Sequence, residues 1–439
     1  MPIVYCLLVL HLLSIQKNNL SVFVYHIFLL LYKAGAFISS PFNSKTKKWL
    51  KGRKGLFEKL KAAIPVNEKI IWMHCSSLGE FEQGRPVLEK IRSQYPAYKI
   101  LLTFFSPSGY EIQKDYKGAD WVFYLPMDGA SNAKRFLEIV HPSLVIFVKY
   151  DLWYFYLKEI RERKIPMLLI SAVIVKNTVF FKWYGRIYRK MFGLISHFFV
   201  QDEASKKALD EKGFTNSTVA GDTRFDRVLE IVEKWENIPG IENFIDNKRT
   251  IVAGSTWRED DIVLQKAFAI INDPSLKLII APHELGEKNL YELEKLFPGS
   301  VRYSHLENSK FKIQNSKTLI IDNIGMLSRL YKYGDITFVG GGMTSYGVHN
   351  VLEAAVYSKP VIIGPYYQKY IEAIGLVESG GSLVIKNEYD LAATIQQLLN
   401  NTGDIYNRSC KASGDFVNRH AGADKKILQF IQENRLLTN

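Results

Sequence analysis

The sequence predicts an α/β protein of two successive parallel-sheet domains behind an apolar N-terminal segment. Three observations carry that expectation. From about residue 66, short apolar runs alternate with helical stretches, which is the rhythm of βαβ units. The rhythm lapses over Glu230–Lys248, around Asn237-Ile238-Pro239-Gly240, and then restarts. Ahead of both domains an apolar run extends from Leu20 to Ile38, broken by Lys33. With 439 residues, the chain is long enough for two or three cores.

Residues 1–44 read as a membrane anchor. Residues 1–15 are apolar but short, and Gln16-Lys17-Asn18-Asn19 separates them from the second run. Leu20–Ile38 barely reaches the ~20 residues that span a bilayer, with Lys33 snorkelling. Lys45, Lys47, Lys48, Lys51, Arg53 and Lys54 follow, and the positive-inside rule then keeps everything downstream in the cytoplasm. Charge placed after the apolar run, with no clear small-residue cleavage site, argues against a signal peptide. A buried globular hairpin is the alternative.

The first domain is expected over 45–235. Its strands are Lys69–His74, Lys99–Phe105, Trp121–Tyr124, Leu144–Val148, Met167–Ser171 and His197–Val200, with helical patterns such as Val87–Arg92 and Ala204–Lys212 between them. The second is expected over 250–411. Its strands are Thr250–Ala253, Leu276–Ala281, Thr318–Ile321, Ile336–Val339, Val361–Ile363 and Ser382–Ile385. A last helix within 412–439 is expected to pack back on the first domain. Open α/β sheets bind ligands beyond the carboxyl ends of their strands, so two such domains predict a cleft.

The net charge of +13 is local. Residues 1–64 carry +9 and residues 171–190 carry +5, leaving the rest close to neutral. Both patches are rich in apolar or aromatic residues, whereas a nucleic-acid groove would spread its charge over a face. No nucleic-acid partner is expected. In the second patch, Phe180, Trp183, Ile187 and Met191 share one helical face, and Lys182, Arg186, Arg189 and Lys190 share the other. Residues 180–191 therefore read either as an interfacial helix on a membrane surface or as an ordinary surface helix. Cys6, Cys75 and Cys410 are too scattered for a disulfide framework or a metal site.

The most informative segment is DITFVGGGMTSYGVHNVLEAA. A strand runs into Gly340-Gly341-Gly342, then Gly347, His349, Asn350 and a helix carrying Glu353. Glycines let backbone N–H groups approach an oxyanion, and a helix N-terminus adds a favourable dipole. An acid one turn into that helix can hold a ribose. A glycine-rich turn with a helix cap is the plainer reading. AGSTWREDD ends another strand with Ser255 and Thr256 at a helix start, suited to a phosphate or to a cap. The turn Ser106-Pro107-Ser108-Gly109 can hold an anionic acceptor or simply cap a helix.

In IWMHCSSLGEFEQG, Ser77-x-x-Glu80 matches a capping box. Gly79 clears space beside the Glu80 carboxylate, and Glu80 sits at a strand's carboxyl end. A helix N-terminus stabilises the carboxylate and partial burial raises its basicity, which suits a general base.

With these residues assembled, the chain resembles the 3-deoxy-D-manno-octulosonic acid (Kdo) transferases from about Leu20 to its end. The resemblance rests on SSLGE, SPSG, YLPMD at Tyr124–Asp128, DLW at Asp151–Trp153, GDTRFD at Gly221–Asp226, GST at Gly254–Thr256 and GGG…GxHNxLE. It implies a GT-B glycosyltransferase of two Rossmann-like domains. Such an enzyme moves Kdo from CMP-Kdo to a lipid A precursor at the cytoplasmic face of the bacterial inner membrane, with inversion and without a bound metal or other cofactor.

By matching position, Glu80 is the implied base, with Asp151 and Arg224 implied in charge stabilisation. Implied donor contacts are Ser255, Thr256, Pro282, His283, Gly325, Met326, Leu327, Gly341, Gly342, His349, Asn350, Val351, Leu352 and Glu353. Implied acceptor contacts are Ser77, Gly79, Ser106, Ser108, Gly109 and Lys149.

The chain departs from the family pattern in places. Lys149-Tyr150-Asp151-Leu152-Trp153-Tyr154 stands where the family reads Glu-Thr-Glu-Leu-Trp-Pro, and Arg224 stands for a lysine. Pro282-His283-Glu284 replaces Pro-Arg-His, and Ser171–Val175 lacks the family's arginine. Residues 1–19 precede the family's usual start. Rival readings are another membrane-associated GT-B enzyme, including an epimerase, and a non-catalytic membrane adaptor with the same fold.

Overall fold

The computed structural model describes residues 2–149, 151–175, 185–306 and 316–438, with side chains from residue 20 onward. Two compact units divide the chain: Met1–Asp226 with Gly422–Asn439, and Arg227–Ala421.

The first unit is built on β1 (Ile70–Cys75), β2 (Lys99–Phe104), β3 (Trp121–Tyr124), β4 (Pro142–Val148), β5 (Met167–Ala172), β6 (His197–Val200) and β7 (Ser217–Val219). They pair in parallel in the order β3-β2-β1-β4-β5-β6-β7. β1 is buried along its whole length, which is why it reads as a continuous apolar run. Trp72 packs on one face with Phe136, Phe147 and Tyr156. Ile71, Met73 and Cys75 pack on the other with Phe81, Val87 and Ile91 of the following helix, Leu78–Gln94.

The N-terminal segment is one helix, Pro2–Ser39, continuous through Gln16–Asn19. Its portion Leu20–Ser39 is long and apolar enough to cross a bilayer. One side of that portion lies on the domain. Leu29 is buried, Val22 and Tyr25 pack beside it, and the Tyr25 hydroxyl donates to Asp128 Oδ2 at 2.7 Å. The opposite side exposes Phe23, Val24, Leu30, Leu31 and Ile38. The basic helix Ser44–Gly52 follows. Arg53 ties it down by donating to the carbonyls of Trp49, Phe105 and Leu125 at 3.2, 2.8 and 2.8 Å. Asp128, at the end of YLPMD, also accepts from the backbone N–H groups of Phe155 and Tyr156, so its role here is to join elements.

In the second basic patch, Phe180, Lys182 and Trp183 lie outside the described residues. The remainder forms a helix, Arg186–Leu194. Met191 and Phe192 are buried and Ile187 packs against the same core, so this apolar face closes on the protein and is not left for a membrane.

The second unit comprises β8 (Thr250–Thr256), β9 (Lys277–Pro282), β10 (Val301–Arg302), β11 (Thr318–Ile320), β12 (Ile336–Val339), β13 (Val361–Ile363) and β14 (Ser382–Val384). Their parallel order is β10-β11-β9-β8-β12-β13-β14. Each unit thus has its first strand flanked by the second on one side and a later strand on the other, and that flank is the switch point where such sheets bind ligands.

Two expectations need correction. The stretch read as a linker forms the helix Ile241–Ile245, with Ile238, Ile241 and Phe244 buried in the second unit. The chain leaves the first unit earlier, at Asp226. The single last helix is instead two, Ile405–His420 in the second unit and Ala423–Glu433 in the first, parted at Gly422 with φ 102°. Ile427, Leu428 and Ile431 seat the latter in the core beside the helix Leu78–Gln94, and Lys90 Nζ meets Asp424 Oδ2 at 2.5 Å. The Asp226 carboxylate accepts from the backbone N–H groups of Gly422 and Asp424 at 2.6 and 3.3 Å, pinning the returning chain.

Candidate active site

In the first unit, β1 delivers Cys75-Ser76-Ser77 to the sheet's carboxyl end. The backbone N–H of Ser106, past β2, donates to Ser76 O at 2.7 Å and draws the two loops together. Glu80 lies half-buried in the first turn of the helix Leu78–Gln94. The capping box is not made: Ser77 caps no backbone group, and its hydroxyl donates instead to Glu80 Oε2. No described residue donates to the other oxygen, Oε1. Gly79 is exposed and flanks the carboxylate with open space.

Asp151 lies past the end of β4 and accepts, at Oδ2, a hydrogen bond from His74 Nε2. The Cys75 thiol is pushed well up by burial first and then by the charges of Glu80, Asp151 and Glu82.

The other first-unit candidates have structural partners. Lys149 occupies a left-handed turn at φ 63°, half-buried, with its backbone N–H on Ile170 O at 2.8 Å. Tyr150 beside it lies outside the described residues. The Arg224 guanidinium is held by its neighbour Asp222, with Nε and Nη2 donating to Oδ2 at 2.8 and 2.6 Å. Ser106 caps the helix Pro107–Gln113, its hydroxyl oxygen accepting from Ser108 N at 3.3 Å. Gly109 is buried against the Phe104 ring, which a Cβ would strike at 2.2 Å. Packing accounts for that glycine.

In the second unit, candidates from β8, β9, β11 and β12 gather at neighbouring strand ends. Gly254, Ser255 and Thr256 close β8, with Ser255 left-handed at φ 52° and a register shift there. Gly325, exposed at φ 97°, leads to Met326 and Leu327. Leu327 Cδ1 lies 2.4 Å from where a Gly254 Cβ would stand.

The glycine loop is more self-contained than the sequence implies. Gly340 N donates to Gly254 O at 2.9 Å, and Gly341 N donates to Asp260 Oδ2 at 2.7 Å. A protein carboxylate thus occupies the place expected for an external anion at Gly341. The same Asp260 oxygen accepts from Trp257 N at 2.8 Å. Burial pushes the Asp260 carboxyl up to about 6, against the pull of these N–H groups. Gly342 is packed back to back with Gly364, where a Cβ would lie 2.8 Å from Gly364 N. Val351 and Leu352 are fully buried.

Above this floor stands a set of stacked rings that sequence reasoning found only in part. Trp257 and His349 lie nearly coplanar, 7° apart, and His283 stacks on both with centroids 4.6 Å from each. Tyr346 lies over Trp257 at 5.8 Å. Trp257 Nε1 donates to His349 Nε2 at 2.9 Å. An indole nitrogen is only a donor, so His349 accepts at Nε2 and, when neutral, carries its proton on Nδ1. Burial, then the neighbouring His283, lowers the His349 pKa to about 4, so the ring is neutral at pH 7. Asn350 Oδ1 accepts from Leu352 N at 3.2 Å just ahead of the short helix Leu352–Ala355, and its amide donates to Glu353 Oε1 at 2.9 Å. Thr256, Trp257, Arg258, Pro282, Glu284 and Tyr346 border a cavity of about 270 Å³.

His74 and Trp257 were missed by the sequence reading. His74 had a visible signal, an imidazole inside the buried run Ile70–Cys75. Trp257 had none beyond its place after Gly-Ser-Thr.

Comparison with known proteins places these features in a family. The family model described as 3-deoxy-D-manno-octulosonic-acid transferase (kdotransferase) matches residues 49–227. A 3-deoxy-D-manno-octulosonic acid transferase from Aquifex aeolicus is 30% identical, over 78% of this chain and 91% of that protein. One from Haemophilus influenzae is 26% identical, over 82% and 86%. A bifunctional glycosyltransferase/methyltransferase from Fusobacterium nucleatum is 27% identical over 84% of this chain, and the match spans only 56% of that relative. Among solved structures, a UDP-GlcNAc 2-epimerase from Neisseria meningitidis bound to UDP-GlcNAc aligns with TM-score 0.58 at 16% identity, covering 83% of this chain and all of that one. At that identity the likeness speaks for the fold, two Rossmann-like domains in GT-B architecture. The chain belongs to the 3-deoxy-D-manno-octulosonic acid transferase family, glycosyltransferases that transfer Kdo in lipopolysaccharide biosynthesis.

Proposed function

We propose that the protein transfers Kdo from CMP-Kdo to a lipid A precursor, inverting the anomeric centre, with Glu80 as general base and no resident metal. The observation that carries this reading is the Glu80 carboxylate. Ser77 holds one oxygen, and no described residue donates to the other. It stands at the switch point of its sheet, in the first turn of the helix Leu78–Gln94.

In the proposed step, the acceptor hydroxyl oxygen attacks the anomeric carbon of Kdo. Its proton passes to Glu80, and the bond to the CMP phosphate breaks with its electron pair. Asp151 is assigned to stabilise the positive character that develops at the anomeric carbon. The second unit is assigned to CMP. Neutral His349 can donate from Nδ1, His283 offers a ring face, and Glu353 is held by Asn350 one turn into a helix. Arg224, tied to Asp222, is assigned to charge balance rather than to direct contact with CMP.

The acceptor is assigned to the first unit. A cavity of about 440 Å³ there joins Tyr32 and Ala36 of the N-terminal helix to Lys45, Trp49 and Ser106. Apolar walls with a cationic rim suit an acyl chain and its phosphate. With the exposed apolar side of Leu20–Ser39, this supports attachment at the cytoplasmic face of the bacterial inner membrane.

Calorimetric titration with CMP and UDP tests the donor assignment. CMP should bind at least tenfold tighter, and tighter UDP binding would refute the assignment. NMR of the sugar product separately tests inversion.

A further inference from the structure

We infer that His74 is a positioning residue for the transfer, the last link of a buried hydrogen-bond chain that fixes the Asp151 carboxylate at the sheet's carboxyl end. The inference rests on the reading of Asp151 as a group facing the reacting centre.

His74 is fully buried in the interior strand β1, in register with Thr103 of β2 and Phe147 of β4. An apolar side chain would fill that position at lower cost, because a buried imidazole is tolerated only when its nitrogens are hydrogen-bonded. Both are. Nδ1 lies 2.8 Å from Thr103 Oγ1, and Nε2 meets Asp151 Oδ2. The direction is set at the Asp151 end: a carboxylate only accepts, so Nε2 donates and Nδ1 of the neutral ring accepts. Trp72 Nε1, which can only donate, gives its proton to Thr103 Oγ1 at 2.8 Å. The Thr103 hydroxyl then turns its own proton to His74 Nδ1. The ring proton sits on Nε2, aimed at Asp151.

The consequence falls on Asp151. Its side chain is 13% exposed, and its Oδ2 is fixed by His74. No described residue donates to Oδ1, which is left for a ligand. Protonation of the ring does not break the arrangement, because Nδ1 also lies 3.1 Å from the Thr103 carbonyl oxygen and can donate there instead. The carboxylate therefore keeps its orientation in either charge state of the histidine. A contact that fixed only the fold would not need to end on a carboxylate with one open oxygen at the sheet's carboxyl end. Preorganised charge of this kind acts because it needs no rearrangement when the transition state forms.

Two measurements test it. The first needs no substrate. Long-range proton–nitrogen spectra of histidine-labelled protein, with His74→Gln identifying the signal, should show the Nε2–H tautomer at pH 8, and Thr103→Val should shift it. A stable Nδ1–H tautomer in the wild type overturns the inference.

The second compares kinetics of His74→Ala, Asp151→Asn and the double variant, each per folded molecule. Each single change should lower kcat by about 100-fold, with donor KM within about threefold. The double variant should be no worse than either, and His74→Gln, which can still donate to Asp151, should recover part of the loss. Multiplying losses, or full kcat in Asp151→Asn, contradict the inference. So does a lowered melting temperature with unchanged kcat per folded molecule. Silence of the wild type with CMP-Kdo would instead refute the substrate assignment, leaving the spectra to decide on His74.

Discussion

The two units share a sheet order and carry opposite kinds of chemistry at the same strand end. At the strand ends the first unit gathers charge: Glu80 and Glu82 start the helix after β1, Asp151 follows β4, and Glu80 and Asp151 each keep an oxygen that no described residue fills. After β8 the second unit removes charge and closes its own donors. Gly341 N lies on Asp260, Trp257 Nε1 lies on His349, and His349 is neutral. A base needs an open, charged oxygen. A nucleotide platform needs flat rings and a rigid floor. The difference teaches that sheet topology fixes where the chemistry stands, while a few residues past the first strand decide which chemistry it is.

Swapping equivalent changes between the units sharpens the contrast. The largest effect is expected at the paired acids. Glu80→Gln should lower kcat about 1,000-fold with CMP affinity unchanged. Glu353→Gln should instead raise donor KM about tenfold and leave kcat within a few-fold. Steady-state kinetics with donor varied measures both, and the reverse pattern would exchange the roles of the units.

The glycines come next. Gly341 has φ 88°, and a Cβ there would lie 2.5 Å from Gly347 O. Gly341→Ala should cost about 3 kcal/mol in urea unfolding. Gly79→Ala, with nothing closer than Ser77 Oγ at 3.8 Å, should stay within about 0.5 kcal/mol. Equal losses would erase the distinction between a rigid floor and an open flank.

The third test concerns buried acid. Burial pushes Asp261 up to about 7 and Asp260 up to about 6 from the usual 3.8. The folded state therefore holds protons that the unfolded chain has released. The stability these groups contribute is full below about pH 4 and is lost as pH rises through 6 to 7. Melting curves of Asp261→Asn should show a flatter fall between pH 4 and pH 7.5 than wild type, and parallel curves would contradict it.

The smallest effect is at Trp257. Trp257→Phe keeps a ring for His283 but removes the donor to His349. Donor KM should rise about threefold, the worth of one neutral hydrogen bond, with kcat unchanged.

Much of this was legible in the sequence, because buried parallel strands announce themselves as apolar runs. β7 and β10 were not, since Ser217–Val219 and Val301–Arg302 are short strands at the ends of their sheets with no run to detect. The false linker arose because Pro239-Gly240 looks like a break, while Ile238, Ile241 and Phe244 pack only through tertiary contacts. Ser77 and Glu80 were rightly singled out, but their spacing fits a capping box as well as a hydroxyl–carboxylate pair, and only geometry separates the two. The link between His74 and Asp151 spans 77 positions, beyond any local pattern. Asp260 looked like an ordinary acid at a helix start, and nothing near it in sequence signals that it holds Gly341.

The most direct test of the account is single-turnover transfer from freshly generated CMP-Kdo to a tetraacyl lipid A precursor. Wild type and Glu80→Gln would be compared at equal folded concentration, both saturated with donor. The account predicts complete transfer by the wild type, and by the variant a rate lower by about 1,000-fold with bound CMP-Kdo intact. Equal rates would contradict it, returning Glu80 to a residue that only holds Ser77 and moving the search for the base to Asp151.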